Sequence, residues 1–133
     1  MMSSLLLDLR ANETLLINGA ALSFPTRTRV VLKTKARFLF GKQIMAPEEA
    51  TTPLRRIYFA LQTAYVGDDA QRQPALRAAR SIAEEPDAAS IAPEQRRLID
   101  EALRLAEAGE HFAALKLARQ TLHPDETPPS ETN

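Results

Sequence analysis

The stretch TTPLRRIYFALQTAY, residues 51–65, is the place where the pattern of the chain changes from strand to helix. Thr52 is a favourable N-cap residue, Pro53 suits a first helical turn, and apolar residues then recur at spacings of three and four. Two cations, Arg55 and Arg56, lie in that first turn, where the positive end of the helix dipole disfavours them by about 0.3–1 kcal/mol. Their placement calls for a nearby anion.

We consider three partners for these two arginines. The first is a structural salt bridge to Glu48 and Glu49, the acids just upstream. The second is a phosphate, held by free N–H groups of the helix start together with the guanidiniums. The third is a contact with another subunit or a partner protein. We favour the structural bridge for at least one arginine, because Leu54, Ile57 and Tyr58 press this turn against the preceding segment.

The residues before this helix predict short antiparallel strands, beginning with LLLDL at 5–9. Asn18 and Gly19 form a strong hairpin signal, because both residues accept the positive φ of a type I′ turn. A two-residue turn pairs Ile17 with Ala20 and Leu15 with Leu22. It places five residues on one core face: Leu15, Ile17, Ala20, Leu22 and Phe24.

The segment TRTRVVLKTKARFLF, residues 26–40, predicts either one long strand or two short strands broken at Thr34 and Lys35. We prefer a hairpin turning there, because a single strand of this length exceeds the usual range of about 3–10 residues. In a continuous strand, five cations share one face: Arg27, Arg29, Lys33, Lys35 and Arg37. In the hairpin, Arg37 leaves that group. Either arrangement exposes several cations together.

Three further helices are predicted downstream, over residues 71–84, 93–109 and 110–122. Pro74 is expected to delay the start of the first, and the last two form an antiparallel helical hairpin. Their predicted inward residues are Leu98, Ala102, Leu105, Ala106, Phe112, Leu115, Ala118 and Leu122.

The predicted fold class is α+β, with a small antiparallel β-region over residues ~5–45 followed by a helical bundle or helical hairpin region over residues ~52–122. We divide the chain into a basic β-region at 1–50, a helical region at 51–122 and a polar, Pro-rich tail at 123–133, which is expected to be disordered. The first two regions form one compact domain.

The composition is typical of a soluble globular protein, with 44% hydrophobic and 26% charged residues. The chain has no cysteine, which excludes disulfides and thiolate chemistry. Asp8 interrupts the only N-terminal apolar run, so no signal peptide is predicted. No run approaches the ~18–20 apolar residues of a membrane span. We therefore expect a cytoplasmic protein with no membrane partner.

The net charge of zero hides a split along the chain. Residues 1–60 carry nine basic and four acidic residues, whereas residues 61–133 carry eight basic and thirteen acidic ones. This split predicts either two surfaces with different partners, or two halves that attract each other within the fold or in a homodimer.

Catalytic chemistry is not indicated. His111 and His123 have no carboxylate, serine or second histidine at a useful spacing, and no metal-ligand spacing or phosphate-cradling Gly-rich loop occurs. We predict no enzyme, no cofactor and no metal. The remaining signal is the basic residues, which suit a phosphate backbone or form a solvated charged face. The candidate nucleic-acid-binding residues are Arg27, Arg29, Lys33, Lys35, Arg37, Arg55 and Arg56.

Three motifs, NETLLINGA (12–20), KARFLFGKQIM (35–45) and PEEATTPLRRIYFALQTAY (47–65), resemble the FlbT family of flagellin-synthesis regulators, the flagellum biosynthesis repressors. The resemblance covers about residues 5–66, is most specific in the block from Thr52 to Phe59, and is only general from Gly67 onward. It implies a post-transcriptional regulator that binds the untranslated leader of flagellin mRNA and modulates its translation and stability, with a positive effect in some members.

The same resemblance implies a protein partner, either flagellin or a small FlaF-like protein. A second reading follows, in which the chain is a protein-interaction module and its effects on RNA are indirect. By analogy, NETLLI followed by basic strands also resembles the carbon-storage regulator CsrA, an RNA-binding strand-swapped dimer. That analogy implies a homodimer with RNA at its strand edges.

Overall fold

The computed structural model describes residues 5–122, so the predicted disordered tail at 123–133 lies outside the described residues. The predicted antiparallel β-region is confirmed and contains two sheets. One sheet pairs β1 with β4, and the other has the order β3-β2-β5. The strands are β1 Leu5–Leu9, β2 Thr14–Ile17, β3 Ala20–Ser23, β4 Thr28–Leu32 and β5 Phe38–Phe40.

The predicted β2–β3 hairpin is confirmed in its turn and register. Asn18 and Gly19 both have positive φ, 49° and 88°, and Leu15 lies opposite Leu22. The predicted core face is only partly right, because Leu15 is buried whereas Ala20 and Leu22 are exposed. The reason is that β3, the last strand of its sheet, is exposed on both faces, so the cores lie over β2 and β5 only.

The preferred hairpin between β4 and β5 is wrong. The segment does break into two strands, but β4 pairs with β1 through Leu7↔Val30, and β5 pairs with β2 through Leu16↔Leu39. Residues 33–37 form the connector between the two sheets. This pairing lets the apolar sides of both strands enter one small core between the sheets, with the members Leu7, Leu9, Leu15, Ile17, Phe24, Val30, Leu32, Phe38 and Phe40.

The helical region contains the four helices that the sequence predicts: α1 Pro53–Val66, α2 Asp69–Ala83, α3 Pro93–Glu107 and α4 His111–Leu122. Three short 3-10 segments, Gly41–Gln43, Pro47–Glu49 and Pro86–Ser90, lie in the connections. Among residues 5–122, no helix is long and apolar enough to cross a membrane.

Side-chain caps explain where the first two helices begin. The Thr52 hydroxyl accepts a hydrogen bond from the backbone N–H of Arg55 at 3.2 Å, as expected of an N-cap. Asp68 and Gln71 form a reciprocal capping box that starts α2 at Asp69. Pro74 therefore lies inside α2 and does not delay its start, contrary to the prediction.

The helices share a second core, in which α1 packs on α2 and α4, and α3 packs on α4. The connections at 67–68 and 108–110 are short, so consecutive helices run antiparallel. On α3 the buried residues are Ile99, Ala102, Leu103 and Ala106, a stripe shifted from the predicted one. The inward prediction for Phe112 is wrong, since it is 50% exposed and lies against Tyr65 with ring centroids 5.3 Å apart.

The three-stranded sheet joins the two cores because its two faces point into different ones. Leu39 and Leu16 face the helices, while Phe38 and Phe40 face the β1–β4 sheet. The hairpin turn also touches the end of α1, where the Gly19 N–H donates to the Val66 carbonyl at 2.5 Å. The β-region and the helical region therefore contact each other through this sheet and this turn.

A substitution in the β2–β3 turn tests whether this contact between the β-region and the helical region stabilises the fold. In Gly19→Ala the new Cβ would lie 3.1 Å from the backbone nitrogen of Asp68, at a φ of +88°. Gly109→Ala is the matched control, because φ is +93° there and nothing lies within 4 Å. Both variants bear the left-handed cost of about 1–2 kcal/mol. We expect Gly19→Ala to lose about 1 kcal/mol more in urea denaturation, because the turn must also move away from Asp68, the N-cap of α2. Equal losses would show that this contact does not stabilise the fold.

We expect the stability to depend on pH through His111, the first residue of α4. Burial lowers the pKa of His111 below its usual value of 6.5, and the nearby cations Arg72 and Arg37 lower it further. The unfolded chain therefore binds more protons than the folded one as the pH falls through 6.5. We expect the free energy of unfolding to decrease between pH 7.5 and pH 6, and to decrease less in His111→Gln. An identical pH dependence in both proteins would contradict this assignment.

Candidate nucleic-acid interface

The connector between β4 and β5 lines a groove of about 660 Å³ where the ends of the two sheets meet. The groove is built because β4 and β5 belong to different sheets, so residues 33–37 must cross between them. Apolar, polar and basic side chains line it together. The lining residues are Leu5, Asn18, Leu32, Thr34, Lys35, Ala36, Arg37 and Phe38.

The cations of this connector differ in how far they are neutralised. Lys33 and Lys35 are exposed, and neither forms an ion pair with any residue in 5–122. Arg37 is half-buried, and its guanidinium lies 3.8 Å from the carboxylate of Asp69. Asp69 also pairs with Arg72, so its single charge is shared between two cations. Positive charge therefore remains available around the groove.

The two arginines near the start of β4 lie on the outer face of the β1–β4 sheet. Arg27 donates two hydrogen bonds to Asp8, at 3.1 and 2.8 Å, and this contact lowers the pKa of the Asp8 carboxyl below its usual value. Arg29 is exposed beside Val31, which is itself 51% exposed. Arg29 is therefore available to a ligand, whereas Arg27 already holds a carboxylate.

The arginine pair at the start of α1 is divided between two environments. Arg56 donates to the Glu85 carboxylate at 2.9 Å, so a structural bridge exists, but the predicted partners Glu48 and Glu49 are wrong. Glu49 instead accepts the N–H of Ala46. The true partner lies beyond α2, and only the packing of α2 on α1 brings it close.

The helix start itself is a poor anion cradle. Pro53 has no N–H, and the N–H groups of Arg55 and Arg56 are already bonded to the side chain and the carbonyl of Thr52. The guanidinium of Arg55 is exposed and turns toward a different pocket from the one that Arg56 lines. The two arginines therefore do not converge on one phosphate.

Arg119, in the last turn of α4, is a residue of interest that the sequence pattern does not indicate. Its guanidinium donates to the Tyr58 hydroxyl at 2.8 Å and to the carbonyls of Gln43 at 3.2 Å and Lys42 at 3.1 Å. Burial raises the pKa of Tyr58, so its phenol stays protonated and donates onward to the Gln43 carbonyl at 3.4 Å. Local spacing offers no signal for this contact, since more than 70 residues separate Arg119 from Gln43.

The seven predicted residues thus do not form one continuous surface. Lys35 and Arg37 line the groove, Lys33 adjoins them in the connector, and Arg29 lies on β4. Arg55 and Arg56 line two other depressions, which share no lining residue with the groove. The candidate interface is therefore the basic groove together with the outer face of β4.

Comparison with known proteins agrees with the motifs. The family described as flagellar protein FlbT matches residues 5–127 of this chain. Relatives include the probable flagellum biosynthesis repressor proteins FlbT of Brucella ovis, Brucella anthropi and Brucella melitensis, each 39% identical over 71 residues. The aligned residues are 53% of this chain and 43% of each relative, so less than half of each relative's length is matched. No solved structure matches. Because the family match spans nearly the whole described fold, the chain belongs to the FlbT family of flagellar proteins.

Proposed function

We propose that this chain is a post-transcriptional regulator of flagellin synthesis, which binds the untranslated leader of flagellin mRNA and modulates its translation and stability. The names of its relatives, flagellum biosynthesis repressors, support the flagellar role. The observation that carries RNA binding is the groove of about 660 Å³ with Lys35 and Arg37 in its lining and the exposed Lys33 beside it.

The groove has the properties that a flexible RNA strand requires. Lysines without a carboxylate partner attract phosphates, and this attraction supplies a large share of the affinity for a nucleic acid. A volume of about 660 Å³ falls within the range of about 300–1,000 Å³ that holds a small organic ligand, so an unstacked base fits. Phe38 offers an apolar surface to the base, while Asn18 and Thr34 offer hydrogen-bonding groups to its edge.

Arg29 extends this surface along β4. It points away from the core between the sheets, whereas Val30 and Leu32 enter that core. The exposed cations Arg29, Lys33 and Lys35 then follow one another along the chain, at a spacing that a phosphate backbone can track. Arg27 and Arg56 contribute less, because each already donates to a carboxylate.

Neutralising the two connector lysines tests the interface. We expect Lys33→Gln/Lys35→Gln to weaken binding of flagellin leader RNA tenfold or more, because each lysine loses a charge-assisted phosphate contact. The salt dependence, plotted as log K against log salt, should become shallower by about 0.7 for each lost contact. Fluorescence anisotropy with labelled leader RNA at two or more salt concentrations measures both quantities.

The matched control is Arg77→Gln/Arg97→Gln. Both arginines are exposed on α2 and α3, and neither forms an ion pair within the described residues. This variant removes the same net charge and should keep nearly the full affinity. If the two double variants bind leader RNA equally, with equal salt slopes, the groove is not the RNA interface.

The alternative function, docking of flagellin or a FlaF-like protein, has its own supporting observation. An open, mostly apolar groove of about 610 Å³ runs between α1 and α2 and includes Phe59, Pro74 and Ala78. Exposed apolar grooves of this kind bind partner segments. We expect Ala78→Arg to abolish co-purification with such a partner, whereas Ala89→Arg, at an exposed position outside the groove, should not. Retained partner binding in Ala78→Arg would exclude this groove.

A further inference from the structure

A second, smaller pocket lies where three distant parts of the chain meet, and neither function above accounts for it. The 3-10 segment Gly41–Gln43, the first turn of α1 and the last turn of α4 enclose a space of about 170 Å³. The polar residues that line it are Lys42, Gln43, Glu49, Arg55, Tyr58 and Arg119. This pocket shares no lining residue with the basic groove.

Arg119 lines this pocket and has an unusual set of hydrogen-bond partners. Its three hydrogen bonds go to neutral acceptors, the Tyr58 hydroxyl and the carbonyls of Lys42 and Gln43. No carboxylate in residues 5–122 lies within ion-pair distance of it. Its Nε atom is buried and has no hydrogen-bond partner among those residues. A guanidinium whose partners are all neutral keeps its full positive charge beside the pocket, where an anion would form charge-assisted hydrogen bonds with it.

The other charged side chains that line the pocket are mostly positive, as Arg119 is. Lys42 and Arg55 are exposed at the rim, and neither forms an ion pair in the described part of the chain. Glu49 is the single lining acid, and its Oε1 already accepts the Ala46 N–H at 2.8 Å. Three cations against one carboxylate leave a net charge of +2, and the positive end of the α1 dipole adds to it.

We propose that this pocket binds a phosphate group, with Arg119 on its inner side and with Lys42 and Arg55 closing over it from the rim. A phosphate monoester carries about −1.5 to −2 charges at neutral pH, which matches the excess charge of the pocket. A space of about 170 Å³ is below the range of about 300–1,000 Å³ for small organic ligands. It therefore suits a phosphate group but not a whole nucleotide. This inference does not depend on RNA binding by the groove.

Phosphate binding is tested first on the full chain with inorganic phosphate. The melting temperature is followed as sodium phosphate replaces sodium chloride at constant ionic strength and pH. We expect a saturable rise, because a ligand that binds only the folded state stabilises it. The ¹H–¹⁵N resonance of Arg119 Nε should shift over the same concentration range. No rise beyond that in chloride, with an unchanged Arg119 resonance, would overturn the proposal.

The variant replaces the two rim cations and not Arg119. Arg119→Gln would also remove the hydrogen bonds to Tyr58 and to two carbonyls, and would therefore disturb the fold. We expect Lys42→Gln/Arg55→Gln to weaken phosphate binding tenfold or more, since hydrogen bonds to charged groups are lost. Arg77→Gln/Arg97→Gln and Lys33→Gln/Lys35→Gln should both retain phosphate binding. Equal phosphate affinity in the rim variant and the wild type would refute the assignment of this pocket.

Two synthetic RNAs of one sequence distinguish the sources of phosphate. One carries a 5′-phosphate and the other a 5′-hydroxyl. A preference for the phosphorylated RNA that disappears in Lys42→Gln/Arg55→Gln would identify an RNA end as the ligand. Equal binding of both RNAs, together with the phosphate-specific rise in melting temperature, would identify free phosphate. Because the groove variant Lys33→Gln/Lys35→Gln is measured in parallel, failure of this pocket and failure of the RNA interface give different results.

Discussion

The three-stranded sheet β3-β2-β5 is buried on both faces over β2 and β5, and the rest of the structure depends on this constraint. Side chains of a strand alternate between faces, so Leu39 enters the helical core while Phe38 and Phe40 enter the core between the sheets. A slip of one residue in β5 would place the wrong side chains in both cores at once. This double burial fixes the end of the connector at residues 33–37 and, with it, the position of Lys35 and Arg37 beside the groove.

Cations in this protein divide into those that hold the fold and those that remain available. Arg56 stabilises the packing of α1 against the end of α2 through Glu85, which offsets the unfavourable helix dipole at its position. Arg80 makes a comparable contact between α2 and α3 through Glu107. Lys33 and Lys35 have no such partner in residues 5–122. The adjacent residues Arg55 and Arg56 lie in different surroundings, because neighbouring positions on a helix point about 100° apart.

Sequence reasoning succeeded where the determining interactions are local. The Asn18-Gly19 turn, the Thr52 cap and the existence and order of the four helices all follow from residues within a few positions of each other. It failed where the choice depended on distant partners. Strand length and turn residues favour a β4–β5 hairpin, yet β4 pairs with β1 and β5 pairs with β2. Ala20 and Leu22 were assigned to the core by their parity, which cannot show that β3 lies at an edge.

The sequence by itself determined that the chain is α+β, that its first half is basic, and that it carries FlbT motifs around the start of α1. Composition, periodicity and turn chemistry are properties of short segments, so they are readable without a fold. Only the tertiary structure decided which cations are neutralised and which gather around a common space. Glu85 reaches Arg56, and Arg119 reaches Tyr58 and Gln43, across 29, 61 and 76 residues. Contacts at such separations arise from helix and sheet packing, because the short-range pattern of a chain carries no record of which elements will meet.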